Sequence, residues 1–329
     1  MTKYETYSKQ TSFDVPKTMQ ALIAKGAGFE NLEVATVPVP QPGPNQLLAR
    51  VDAAGVCTSI IKLVEQGDKH TFINGWDLAK NPVILGDEGA VTLVKIGDNL
   101  KSQYKTGQRF AIQPAVAVPP INHRERYKDA GQGMLKCAVG YTLGGNLAQY
   151  ILIQEEVLKG QCLLELPTDD MAYFAVSMAE PISCIYSAQE RNYHIIKNGP
   201  HAQRVPQLGL LPKGVAVVVG AGAMGRMHAE LALRFSPRAL IISDLQQGRL
   251  DEAMATIGEK AKAKGTKLIC VLPDKLAETV KAESNGRRRR YNPCSRRKSS
   301  PAERLNPPWP RRRSQPLWRP PPRQAHARS

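Results

Sequence analysis

Short apolar runs separated by turn residues fill the chain from Met19 to about Leu166. The segments MQALIAK, LLARVDAAGV, AVTLVKIG and RFAIQPAVAV have the length and side chains of β-strands. Clusters of Gly, Pro and Asn such as VPQPGPNQ, IGDNLKSQYKTGQ and GYTLGGN punctuate them. Many short strands with frequent turns predict a barrel-like β domain. One helical piece interrupts it, from about Ser59 to Gln66. From Asp170 to about Tyr193 the pattern becomes helical, and AYFAVSMAEPISCIYSA reads as a mostly buried helix. A polar loop, IIKNGPHAQRVPQLGLLPKG, follows. Beyond it VAVVVGAGAMGRMHAELALRF, ALIISD, a helix near 247–264 and KLICVLP alternate strand with helix, the signature of a parallel α/β sheet. The pattern divides the chain into a β domain over 1–166, a partial α/β domain with an entry helix over 167–285, and a remainder over 286–329.

Composition alters this picture only at the end of the chain. The 329 residues are 42% hydrophobic, sufficient for two domains with cores. The net charge of +16 suggests a polyanionic partner until it is located along the sequence. Residues 286–329 hold 14 Lys and Arg against one acidic residue, which leaves 31 basic and 28 acidic residues in the rest. Residues 1–285 are thus nearly neutral, and binding of nucleic acid through a basic arm is a reading of the tail alone. The tail also has nine Pro, two of the three Trp and no periodicity. Shifted by one base with suitable synonymous codons, residues 288–298 encode an apolar strand preceded by acidic residues. Residues 314–320 then encode a strand followed by glycines. The expectation is that 286–329 is an out-of-frame translation and that the α/β sheet is cut short, which leaves the activity of the chain as it stands an open question. The six cysteines, at 57, 137, 162, 184, 270 and 294, form no CxxC pair, which argues against a disulfide framework or a four-Cys zinc ribbon. The N-terminus lacks an apolar leader core and no run has bilayer length, so a cytoplasmic setting is expected.

Gly220, Gly222 and Gly225 follow an apolar strand and open a helix in G-x-G-x-x-G spacing. The first glycine permits the tight turn, the second lets backbone approach a pyrophosphate, and the third lets helix and strand pack closely. Ala223 and Met224 complete the turn, and the helix N-terminus offers free N–H groups to phosphate. Asp244, about twenty residues further on, is placed to accept from ribose hydroxyls. It would repel a 2′-phosphate and so favours NAD, while Arg249 nearby keeps NADP open.

Cys57, Asp87, Glu88 and Glu180 are candidate metal ligands, since a thiolate with carboxylates suits Zn²⁺. Taken singly, Cys57 also reads as a small buried hydrophobe, Asp87 and Glu88 as turn acids, and Glu180 as a paired buried charge.

Cys57 with Ser59, the GDEG turn, GYTLGGNLAQYILI, AEPISC and the glycine turn occur in the order found in zinc-dependent medium-chain dehydrogenases. The stretch from Met19 to Glu283 resembles that superfamily. GQRFAIQ, EPISC followed by NYHIIKNG, and the long loop before the glycine turn resemble its sugar- and polyol-phosphate branch, typified by L-sorbose-1-phosphate reductases. The resemblance implies a GroES-like β-barrel catalytic domain joined to a Rossmann doubly wound parallel sheet, incomplete here. It implies hydride transfer between a nicotinamide and a polyol or sugar phosphate, such as L-sorbose 1-phosphate or glucitol 6-phosphate. One catalytic zinc would be held by Cys57, Asp87 and Glu180 with Glu88 adjacent. Ser59 would relay the proton, and Lys62 stands where relatives often carry a His that passes it to solvent. Asp87 occupies the place of a His, so a bound zinc would be a weaker Lewis acid, and a zinc-free reductase is the alternative enzyme. The stretch that in many relatives carries four zinc-binding cysteines has only Cys137, so no structural zinc is expected. His123 is expected in a solvated loop, and Lys62, His123, Arg124 and Arg126 are basic residues available to a substrate phosphate. Relatives are homo-oligomers paired through late Rossmann strands, and no membrane partner is implied.

Overall fold

The structure, a computed structural model, describes residues 13–73, 76–116, 137–168, 170–197 and 199–284. The chain divides into two compact units, Met1–Gly286 and Arg287–Ser329, and every described residue lies in the first. His123, Arg124, Arg126 and the tail from 286 lie outside the described residues.

The first part of the unit is antiparallel β. Its strands are β1 (Thr18–Ala24), β2 (Leu32–Pro38), β3 (Leu47–Gly55), β4 (Val83–Ile84), β5 (Glu88–Ile96) and β6 (Arg109–Ile112). They are followed by β7 (Ala115–Val116), β8 (Cys137–Ala138), β9 (Tyr150–Ile153) and β10 (Leu163–Glu165). A five-stranded sheet has the order β10-β6-β5-β3-β9, and a smaller one the order β2-β1-β4. Side chains alternate across a strand, and here both faces are covered. Leu47, Ala49, Val91 and Leu93 enter one core with Phe110, Ile112, Ile151 and Ile153. Leu48 and Val94 enter another with Met19 and Val39. The helix α1 (Ser59–Gln66) follows β3 and buries Ile60, Leu63 and Val64 against Ile73, Trp76, Leu78, Val83 and Leu85.

A bulge sets the geometry at the end of β3. The β3–β5 register shifts between Val51 and Ala53, after which Ala54 faces Gly89 and Gly55 faces Glu88. Such bulges bend a strand and re-aim the residues beyond the bend. The extra residue, Asp52, accepts a hydrogen bond from Arg50 Nε at 2.7 Å and another from the Thr92 hydroxyl.

The helical stretch after β10 departs from the sequence expectation. A short α2 (Glu155–Lys159) precedes β10, and the stretch after β10 is broken into α3 (Tyr173–Ser177) and α4 (Ala179–Glu190). Only one side of α3 and α4 is buried. Tyr173, Val176, Pro181, Ile185 and Gln189 face inward, while Phe174, Ile182 and Tyr186 are exposed. The apolar residues run round the helix, but only one stripe has neighbours to pack on. The loop expected next is in part a hairpin, β11 (Tyr193–Ile196) with β12 (Val205–Leu208), whose apolar Tyr193, Ile195, Val205 and Leu208 are exposed.

The α/β part contains β13 (Val215–Val219), α5 (Ala223–Ala232), β14 (Ala239–Ser243), α6 (Gln247–Ala263), β15 (Lys267–Val271) and α7 (Pro273–Glu283). The strands are parallel in the order β13-β14-β15. Every residue of β14 is buried, with Leu240 and Ile242 packed among Ala229, Ala232, Leu250, Ala253 and Ile257. β13 is only half-buried, and its outer edge has no strand beside it among the described residues.

Candidate active site

Three side chains that are far apart in sequence meet where β3 ends and β5 begins. Cys57 lies in the short link from β3 to α1, Asp87 immediately precedes β5, and Glu88 is its first residue. Their ligand atoms lie within 4.8 Å of one another. Gly55 makes this possible, because a Cβ there would stand 1.8 Å from Glu88 Oε2. Gly86 turns the chain with φ +102°, against the backbone of Leu147.

Asp87 is buried and has its neighbours on one side of its carboxylate. Ser59 Oγ donates to its Oδ2 at 3.0 Å, and the Tyr141 hydroxyl lies 3.5 Å from the same atom. Both hydroxyls thus converge on Asp87 Oδ2. The other oxygen, Oδ1, is buried with no hydrogen-bond partner among the described residues. Such an orphan costs about 1–3 kcal/mol, more when charged. Burial raises the Asp87 pKa, against the lowering effect of Ser59. Glu88 is pushed up by burial and by the charges of Asp87 and Glu180. The Cys57 thiol is pushed up by burial, although the Ser59 N–H donates to its sulfur at 3.4 Å. No ion pair among the described residues includes Asp87, Glu88 or Glu180. Three acids, a thiol and an orphaned carboxylate oxygen without a compensating cation are a donor set that fits a divalent metal.

Glu180 stands outside the Cys57–Asp87–Glu88 group but within electrostatic range of it, on α4. Burial and the Asp87 charge raise its pKa. Lys62 is not brought to the group. It is exposed on α1, and its charge acts instead on His70. His70 stacks on the Tyr141 ring at 5.1 Å, and its Nδ1 accepts from the Phe72 N–H at 3.2 Å. The sequence reading missed Tyr141, His70 and Cys184. Tyr141 lies in GYTLGGN, read as a turn and as part of the family resemblance, and Cys184 in EPISC, read as part of that resemblance and of a mostly buried helix; neither residue was given a role.

The glycine turn has the form that nucleotide binding requires. Gly220 adopts φ +99°, Gly222 caps α5, and Ala223, Met224 and Gly225 form its first turn. A Cβ on Gly225 would meet the Gly220 carbonyl oxygen at 1.7 Å, whereas one on Gly222 would meet nothing within 4 Å. Asp244 closes the turn. Its Oδ2 accepts from the Ala221 N–H at 2.7 Å and its Oδ1 from the Gln246 N–H at 2.9 Å. These bonds hold its carboxyl below the usual range, and Arg249 pairs with it at 3.8 Å. The adjoining Leu245 is 86% exposed, an apolar surface beside the turn that spacing did not reveal.

Residues 43–161 match the alcohol dehydrogenase GroES-like domain family. Mannitol-1-phosphate 5-dehydrogenase of Aliivibrio fischeri is 31% identical over 268 residues, which cover 79% of this chain and 58% of that protein. L-sorbose 1-phosphate reductase of Klebsiella pneumoniae is 27% identical over 229 residues, 69% of this chain and 51% of that protein. Among solved structures, a zinc-binding dehydrogenase of Sinorhizobium meliloti bound to NADP has the same fold. It superposes with a TM-score of 0.54 at 20% identity, over 79% of this chain and 63% of that one. The fold is thus that of a GroES-like domain followed by parallel α/β structure. The chain belongs to the medium-chain alcohol dehydrogenase superfamily and spans little more than half the length of the two relatives, 58% and 51%.

Proposed function

We propose that the described residues carry the catalytic site of a nicotinamide-dependent, metal-assisted oxidoreductase of polyols or sugar phosphates. The observation that carries this reading is the Cys57–Asp87–Glu88 group, its two acids buried and its thiol half-buried, with an Asp87 oxygen that has no hydrogen-bond partner among the described residues. The names of the relatives support the substrate class. Cys57, Asp87 and Glu180 would hold the metal, with Glu88 adjacent, its carboxylate within 4.8 Å of the Cys57 and Asp87 ligand atoms. A bound metal supplies Lewis acidity at a substrate oxygen, and a bound nicotinamide supplies hydride chemistry.

The chain's own residues do the rest. Ser59 Oγ is the proton-handling atom, since it already donates to Asp87 and sits next to the Tyr141 hydroxyl. Tyr141, fixed by the His70 stack, orients that hydroxyl from a buried position where water does not compete. The first turn of α5 and Asp244 bind the dinucleotide, the former through N–H groups and the latter through carboxylate lone pairs. Asp244 favours NAD, and Arg249 is the residue through which NADP would be accommodated.

The experiment is metal analysis of the purified chain, followed by turnover of a panel of polyol and sugar phosphates with NAD and with NADP. Stoichiometric zinc and phosphate-dependent turnover are expected. A metal-free protein that reduces the same substrates would replace this reading with the zinc-free reductase.

A further inference from the structure

Glu88, Ala90 and Thr92 share one face of β5, because alternate residues of a strand point the same way. Thr92 stands opposite Arg109 of β6, and Ala90 stands opposite both Ala111 of β6 and Ala53 of β3. The helices α3 and α4 cover this face. Val176 of α3 joins Ala90 and Ala111 in one buried cluster, with Ala53, Met171 and Ala179 packed against it. Glu180 directly follows Ala179, and Glu88 begins the strand that carries Ala90. Next to Thr92 on the same face is Arg109, a cation only 6% exposed. Its Nη2 donates to the Met171 carbonyl at 2.7 Å, and its guanidinium lies 4.0 Å from the centre of the Tyr173 ring. One side chain of the sheet thus grips the chain where it enters α3, seven residues before Glu180.

We propose that Arg109 is a positioning residue of the metal site: it pins the entry of α3 to β6 and so sets where Glu180 stands relative to Cys57 and Asp87. The inference rests on the metal-assisted reading above. Arg109 touches neither metal nor substrate and acts through Glu180 alone. Cys57 and Asp87 adjoin the paired ends of β3 and β5, whereas Glu180 comes from a helical segment that must be fixed against the sheet. An arginine suits this task. Its planar fork donates to a carbonyl while its face lies on an aromatic ring, two contacts that a lysine ammonium does not combine. Three protein donors leave the fourth position of a tetrahedral ion to the substrate oxygen.

The test titrates the full 329-residue chain with Co²⁺ and follows the visible d–d bands and the thiolate-to-cobalt charge-transfer band. The variants are Arg109→Lys, Glu180→Gln and the two combined. Arg109→Lys is expected to weaken Co²⁺ binding about tenfold and to move the d–d bands toward those of Glu180→Gln. The thiolate band from Cys57 should stay, because β3 holds that residue. In the Glu180→Gln background the same change should alter the affinity by less than about twofold, since the contact it supports is already gone. Tyr173→Leu, which removes the ring beneath the guanidinium, should repeat the pattern and carries the comparison if Arg109→Lys fails to keep the parent's far-UV circular dichroism. An equal fall in both backgrounds, or a thiolate band lost together with the d–d bands, makes Arg109 a general support of the fold and overturns the inference. So does an affinity unchanged by Glu180→Gln, or by both Arg109→Lys and Tyr173→Leu. Each of these leaves the metal reading standing, and no stoichiometric metal in the parent chain overturns both.

Discussion

The third glycine of the nucleotide turn gives a prediction whose size comes from one distance. Replacing Gly225 by Ala puts a Cβ 1.7 Å from the carbonyl oxygen of Gly220, where ordinary contact begins at 3.4 Å. The obstructing atom is backbone, so no side chain can rotate away, and α5 must retreat from the turn by roughly 1.5 Å or more. Overpacking of this kind costs about 1–3 kcal/mol, and a rigid partner places Gly225→Ala at about 3. The same substitution at the helix cap is the control. Gly222 has φ −67°, and a Cβ there meets nothing within 4 Å. Its stability should therefore stay within about 0.5 kcal/mol of the parent, the gain in chain stiffness offsetting a poorer cap. What Gly222→Ala should lose is nucleotide, because the new methyl stands where the pyrophosphate approaches the backbone. Urea unfolding followed by circular dichroism measures the first effect, and fluorescence titration with NADH the second, with affinity expected to drop at least about tenfold. A Gly225→Ala protein as stable as the parent would refute the packing argument. A Gly222→Ala protein that binds NADH normally would refute the assignment of the turn.

Ser59→Ala should lower kcat about a hundredfold with KM little changed and metal content intact, as steady-state kinetics and metal analysis would show. A fall in bound metal instead would make Ser59 a structural partner of Asp87. Asp244→Ala removes the acceptor of the Ala221 and Gln246 N–H groups and the carboxylate that faces a 2′-phosphate. The ratio of NAD to NADP affinity, by titration with both, should move toward NADP by about tenfold or more, on the order of one lost charge-assisted bond. Gly55→Ala places a Cβ on the flexible end of Glu88 and not on backbone. It should displace that carboxylate at a cost below about 2 kcal/mol while weakening metal binding, read by competition with a chelator.

The α/β half was legible because its signals are local and each has one structural cause. Three glycines, a continuous apolar strand and an acid at the end of the next strand are all demanded by a single turn: Gly220 is glycine for its φ of +99°, and Gly225 for the backbone that a Cβ would meet. The strands β3 and β5 were likewise visible as apolar runs, since both faces are buried. What failed was burial of the linking segment. Helical periodicity announced α4, but whether Ile182 and Tyr186 are covered depends on what packs against them, which the local pattern does not encode. The β11–β12 hairpin was hidden for a similar reason. Its apolar residues are outside, and Pro206 with the intervening Gly and Asn residues reads as loop.

The candidate site was legible as a list of ligands and not as an electrostatic object. Sequence order supplied Cys57, Asp87, Glu88 and Glu180, but nothing in it showed that these acids have no Lys or Arg partner among the described residues, or that Lys62 stands apart from them. That absence gives the site its chemistry. A buried carboxylate is tolerated when a cation or several N–H donors face it, as at Asp244, whose carboxyl is held low by backbone N–H groups. Asp87, Glu88 and Glu180 have the opposite surroundings, each pushed up by burial. Replacement of a neutral imidazole by Asp87 then changes the charge of the donor set without removing its demand for a cation, and it is the unpartnered Oδ1 that makes this demand measurable.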